Sequence, residues 1–262
     1  MHAEGWVCSE NLAADIGPQD CGMVPFADLL GRWLVDLVRR YVPGPLPVLW
    51  HLPGEAASVV LYSGDEDSAQ RAWVEEEFGV LREAGVRMNL YIVPVATEST
   101  GEDVARWRMQ HDVGPHPDLR PLDGAPISER VAEFERQVLQ FEAMYGFRPK
   151  SVRNHCLCWP GYLDLIEVEA RLGISLDSNY YCMDFMRDRY SGPYCGYGAA
   201  LPMRFCRPEG TLIDVFQQHG HLSDDVWFHP SHPKSFRYSP AAYEVLLARI
   251  LDDSAARFHL PY

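Results

Sequence analysis

No apolar run in this 262-residue chain approaches the ~20 residues that a helix needs to cross a bilayer. Basic charge is also scarce. Lys and Arg number 23 against 37 Asp and Glu, a formal net charge of −14. Phosphate backbones and anionic lipid surfaces are bound by clustered cations, so neither nucleic acid nor membrane is an expected partner. An acidic surface mostly serves solubility. Met1-His2-Ala3-Glu4-Gly5 offers neither the basic start nor the apolar stretch of a secretion signal, which makes a cytoplasmic location the expectation. The seven cysteines are Cys8, Cys21, Cys156, Cys158, Cys182, Cys195 and Cys206, and no two make a C-x-x-C pair. An odd count without a secretion signal reads as free thiols. Low complexity is absent as well: 47% hydrophobic and 23% charged residues are ordinary globular composition.

What the chain does contain is alternation of strands and helices. Residues 1–25 read as an irregular arm, and 26–262 as one α/β domain with no second boundary. Phe26 to Tyr41 carries an apolar stripe at helical spacing, stopped by Val42-Pro43-Gly44-Pro45. Further helices are expected over 68–84, 101–109, 128–145 with Ser128 as its cap, 162–172 and 240–251. Strands are expected near 58–63, 87–93, 112–113, 150–153, 174–176 and 212–216. Such alternation predicts one mostly parallel sheet covered by helices, open or closed into a barrel. The segments 178–210 and 217–239 read as long loops rich in Tyr, Pro, Gly and Arg.

Proteins of this class place their chemistry where strands end. Three strand ends are loaded with polar residues. Ser63-Gly64-Asp65-Glu66-Asp67-Ser68 holds three adjacent carboxylates, whose repulsion is offset either by solvent and helix capping or by a divalent cation. His111 to Asp118 places two histidines around a Gly-Pro turn. Arg153 and His155 follow a short apolar strand, where Arg153 either pairs with a structural carboxylate or faces the same mouth.

These three segments, in this order, resemble the motifs of the polysaccharide deacetylase (NodB-homology, carbohydrate esterase) family. Leu61 to Asp67 is similar to its Asp-x-Asp variant, Gln110 to Asp118 to its histidine motif, and Arg153 to Tyr162 to an expanded version of its Arg motif. Gly173 to Asp177 is similar to the segment leading to a further Asp. The resemblance covers about residues 55–220 and implies a deformed (β/α) barrel of about seven strands. It implies hydrolysis of an acyl group, acetyl above all, from an N-acylated sugar or a related small amide. One divalent ion, zinc by expectation, would be held by Asp67, His116 and His155, with His111 as second choice for the third ligand. Asp65 would be the general base, Arg153 its orienting partner and His221 the general acid, chosen among His219, His221, His229, His232 and His259. The chain departs from the family at Arg120, which stands where a second ligand histidine is expected and cannot ligate a cation. That departure leaves an alternative, a catalytically inactive carbohydrate-binding or structural relative. The family's closing strand is also not visible after 240–251.

Overall fold

The expected alternation begins at Ser63. The computed structural model describes residues 26–47, 54, 56, 58–67, 70–180, 199, 201–221, 228 and 237–258. They fall into two compact units. One contains Leu61–Tyr180 and Pro202–His219, and the other contains the helices at the two ends. The expected arm at 1–25 lies outside the described residues.

The first unit is built on two sheets. Strands β1 (Ser63–Glu66), β2 (Asn89–Ile92) and β3 (Asp112–Pro115) are parallel in the order β1-β2-β3. Strands β4 (Ser151–Val152), β5 (Leu176–Asp177), β6 (Met203–Cys206) and β7 (Leu212–Gln217) form the second, in the order β4-β5-β7-β6. The expectation of one parallel sheet is therefore corrected. The break lies between β3 and β4, which are not joined as paired strands. Beyond them, among the described residues, the backbone bonds that continue the junction are Arg153 N–H to the Pro115 carbonyl at 3.4 Å and His155 N–H to the Pro117 carbonyl at 2.9 Å. The two strands nevertheless approach closely: a Cβ on Gly114 would stand 2.5 Å from the Ser151 carbonyl oxygen. Neither sheet closes into a ring among the described residues.

Two more expectations change here. Residues 58–62 are not a strand; Val59, Val60 and Leu61 are exposed, and pairing starts one residue later, at Ser63 with Asn89. The segment read as loop over 178–210 contains β6, which pairs antiparallel with β7. Its sequence, Met-Arg-Phe-Cys, is short and has only two large apolar residues, too few for strand alternation or an apolar run to mark it within a segment rich in Gly and Pro.

The covering helices are α2 (Arg71–Ala84), α3 (Gly101–Trp107), α4 (Ile127–Tyr145) and α5 (Asp164–Leu172). Helix α2 stops at Gly85, whose left-handed φ of 69° lets its N–H reach the Arg82 and Leu81 carbonyls. Helix α3 opens with a capping box between Thr100 and Asp103. Helix α4 has Pro126, not Ser128, at its cap position. It serves both sheets: Phe134 and Val138 pack with Val152, Trp159, Ile213 and Val215, while Phe141 packs with Phe78, Leu90, Ile92 and Trp107. Each such side chain, fully buried, contributes about 1.5–3 kcal/mol. One long helix thus ties together two sheets that backbone pairing leaves separate.

In the second unit, α1 (Phe26–Tyr41) has the expected amphipathic stripe, although none of its residues is buried. Helix α6 runs Pro240–Phe258, further than the expected 240–251. No helix among the described residues is long and apolar enough to cross a membrane.

Candidate active site

The C-terminal ends of β1, β3 and β4 supply the polar residues. Strand β1 delivers Asp65 and Glu66 and turns at Asp67. Successive strand side chains point to opposite faces, so Glu66 is buried while Asp65 faces outward. His116 follows β3 directly, its N–H bonded to the Ile92 carbonyl at 2.6 Å. Arg153 and His155 follow β4.

These residues meet. His116 Nε2 lies 3.1 Å from Asp67 Oδ1, and His155 Nδ1 lies 2.9 Å from the same oxygen. The two imidazole rings stand edge to face with centroids 5.1 Å apart. One ligand atom from each of Asp67, His116 and His155 falls within 4.8 Å of the others. His116 Nδ1 donates to the Arg153 carbonyl at 2.7 Å, which fixes the ring and leaves Nε2 facing Asp67. A carboxylate and two imidazoles, with one ring pinned by a carbonyl, is a donor set suited to zinc or a similar divalent ion.

The charges there reinforce one another. The two imidazoles, His116 first, hold the Asp67 carboxyl far below the usual carboxylate range. Contact with Asp67 pushes His155 up to about 10. Without a cation, His155 is thus an imidazolium paired with a carboxylate, and a bound ion would take the place of that proton.

Beside this group, Arg153 Nη1 donates to Asp65 Oδ1 at 2.9 Å. Its Nη2 reaches Ser63 Oγ at 2.6 Å and Ser178 Oγ at 3.1 Å. The guanidinium also lies over the Tyr91 ring, 4.8 Å from the centroid. Asp65 Oδ2 is 3.8 Å from His116 Nε2. Arg153 is thereby held in a fork that orients Asp65 towards the three-residue group.

His155 reaches the group on an unusual turn. Cys156 and Leu157 both have left-handed φ, 52° and 53°, which costs an L residue about 1–2 kcal/mol each. Asn154 holds the turn: its side-chain amide donates to the Cys158 carbonyl at 2.7 Å, and its N–H donates to Asn179 Oδ1 at 2.6 Å. No residue pattern announces two consecutive non-glycine left-handed residues, so the sequence marks His155 only by proximity to Arg153.

The other candidates fall elsewhere. His111 stacks flat on Phe78 at 4.0 Å and sits near the Met88 N–H, away from the group; it is a packed residue rather than a third ligand. Arg120 turns onto Asp118 with two side-chain hydrogen bonds of 2.9 Å. His221 belongs to the second unit. His229, His232 and His259 lie outside the described residues. A histidine passed over is His219, buried, two residues past β7 and in the same unit as Asp65. Gln218 N–H, just before it, bonds to the Asp177 carbonyl, which places it at the end of β5 that leads to Ser178. Most of the tyrosines in the Tyr-rich segment 178–210 lie outside the described residues.

No protein-family model matches the chain, and no curated protein matches it. Solved structures do. A Mycobacterium smegmatis protein assigned provisionally as a polysaccharide deacetylase superposes with a TM-score of 0.53 at 15% identity, over 80% of this chain and 77% of that one. The chain has the polysaccharide deacetylase fold. An allantoinase gives a TM-score of 0.46 at 13% identity, over 73% of this chain and 57% of that one. A Bordetella bronchiseptica protein assigned to the same deacetylase class in O-antigen biosynthesis gives 0.41 at 18%, over 61% and 56%. This chain spans little more than half the length of those last two.

Proposed function

We propose that the chain is a metal-dependent amide hydrolase that removes an acyl group, acetyl above all, from an N-acylated sugar or a related small amide. The observation that carries this is the convergence of Asp67, His116 and His155 beside an Asp65–Arg153 pair. Asp67, His116 and His155 would hold one divalent ion, with zinc the best match to the donors. Such an ion supplies Lewis acidity, polarising a carbonyl and lowering the pKa of a coordinated water.

The chain's own residues supply the rest. Asp65 accepts the proton of the attacking water. Arg153 orients Asp65 through the 2.9 Å contact. A late histidine delivers a proton to the leaving amine. His221 is the candidate from the sequence, and His219 competes with it because it follows β7 in the same unit. The organisation of 26–262 as one functional domain, with a barrel-like arrangement of its two sheets, belongs to the same reading. An inactive carbohydrate-binding relative is the second reading, favoured by Arg120 at a ligand position.

Two substitutions separate the roles. Asp65→Asn should keep metal and melting temperature but lower kcat by about 10²–10⁴ on an N-acetylated substrate, with little change in KM. Asp67→Asn should reduce metal content, because a neutral amide replaces an anionic ligand. The opposite pattern would exchange the two roles. A wild-type protein that binds metal and sugar but cleaves no amide would support the inactive relative.

A further inference from the structure

Asp65 and Asp67 flank Glu66, and the three carboxylates are treated very differently. The Asp67 side chain is 60% exposed on a turn, so its own packing does little to fix it. Glu66 is only 4% exposed. Its Oε1 accepts from Ser99 Oγ at 2.5 Å and its Oε2 from Thr97 Oγ1 at 2.7 Å. Ser99 N–H in turn donates to Thr97 Oγ1 at 2.9 Å, which closes a small network. Tyr145 on α4 donates to the Ser99 carbonyl at 3.1 Å, and Thr100 opens the capping box of α3. The loop after β2 is therefore anchored to two helices and grips the residue between the two candidate functional carboxylates.

We propose that Glu66 is a positioning residue, which sets the cation affinity of Asp67, His116 and His155 by clamping the β1 turn to the loop after β2. This rests on the metal reading above. Strand geometry supplies the reason. With Glu66 directed inward and held at both oxygens, its neighbours must face the mouth. A slackened Glu66 lets the turn rotate, and Asp67 is then held only by its contacts with the two histidines themselves, His116 and His155. Both hydroxyls donate, so both Glu66 oxygens accept. A glutamine retains one acceptor and loses the other, while an alanine leaves the buried Ser99 hydroxyl and the half-buried Thr97 hydroxyl without their acceptor.

The test is zinc affinity, measured by competition with a chromophoric chelator well below the melting temperature. Glu66→Ala and the double variant Thr97→Val/Ser99→Ala should each weaken binding about tenfold or more, the lower range for residues supporting metal ligands. Glu66→Gln should fall between these and the wild type. Val74→Ala, which thins the core under α2, should lower the melting temperature and leave zinc affinity unchanged. If Glu66→Ala fails to fold, the double variant and Glu66→Gln carry the comparison. Wild-type affinity in the double variant, or equal weakening by Val74→Ala, would overturn the positioning role. A wild-type protein that binds no zinc would instead overturn the metal reading, and with it this proposal.

Discussion

Asp65, Glu66 and Asp67 are adjacent carboxylates with three separate surroundings: a guanidinium, a pair of hydroxyls and a pair of imidazoles. Sequence alone marks the cluster and its position at a strand end, which is why the outer two were legible as candidates. It does not reveal that Glu66 is buried, because Thr97 and Ser99 lie on a different loop. A second buried carboxylate went unmarked for the same reason. Glu169 on α5 is fully buried beside Asp177 on β5. Burial, with Asp177 adding to it, raises the Glu169 carboxyl well above its usual 4.5, and burial also pushes Asp177 up to about 6. A raised acid binds its proton more tightly folded than unfolded, so stability is lost as pH rises from about 4.5 upward. One proton gives a slope of at most about 1.4 kcal/mol per pH unit. Glu169→Gln mimics the neutral acid and should flatten that slope. Urea unfolding at a series of pH values from 5 to 8 measures it, and parallel curves for the two proteins would contradict the argument.

At the scale of elements, helix positions followed from apolar periodicity, as α2 and α4 illustrate. Strand ends were less legible. The Val59–Leu61 run looks like a buried strand, but a run of apolar residues does not say whether a partner strand reaches it; here β2 begins pairing only at Asn89. The break between β3 and β4 has no sequence signature either, since it depends on where two distant segments meet. Gly114 is the one local mark of that meeting. A methyl group there would press on the Ser151 carbonyl at 2.5 Å and on the Tyr91 ring at 3.2 Å, and a backbone atom cannot swing aside as a side chain can. Gly114→Ala should therefore destabilise the protein by about 1–3 kcal/mol, the usual range for overpacking. The denaturant midpoint should drop without a change in m-value. An unchanged midpoint would mean that the two sheets can separate at this point without penalty.

Across the whole molecule, a net charge of −14 raises the local concentration of cations, and on the proposed reading the three donors at the mouth of the first unit would give one of them a specific seat. The polysaccharide deacetylase fold supplies the strand ends that gather these donors. This chain's own departure is its candidate third donor: Arg120 has turned onto Asp118, and His155 arrives on a strained turn from the next strand end. The most direct test is a calorimetric titration of metal-free protein with zinc. The account predicts one site per chain, weakened about tenfold or more by His155→Ala and by His116→Ala, with Arg120→Ala close to wild type. No zinc binding by the wild type, or binding that survives both histidine substitutions unchanged, would contradict it.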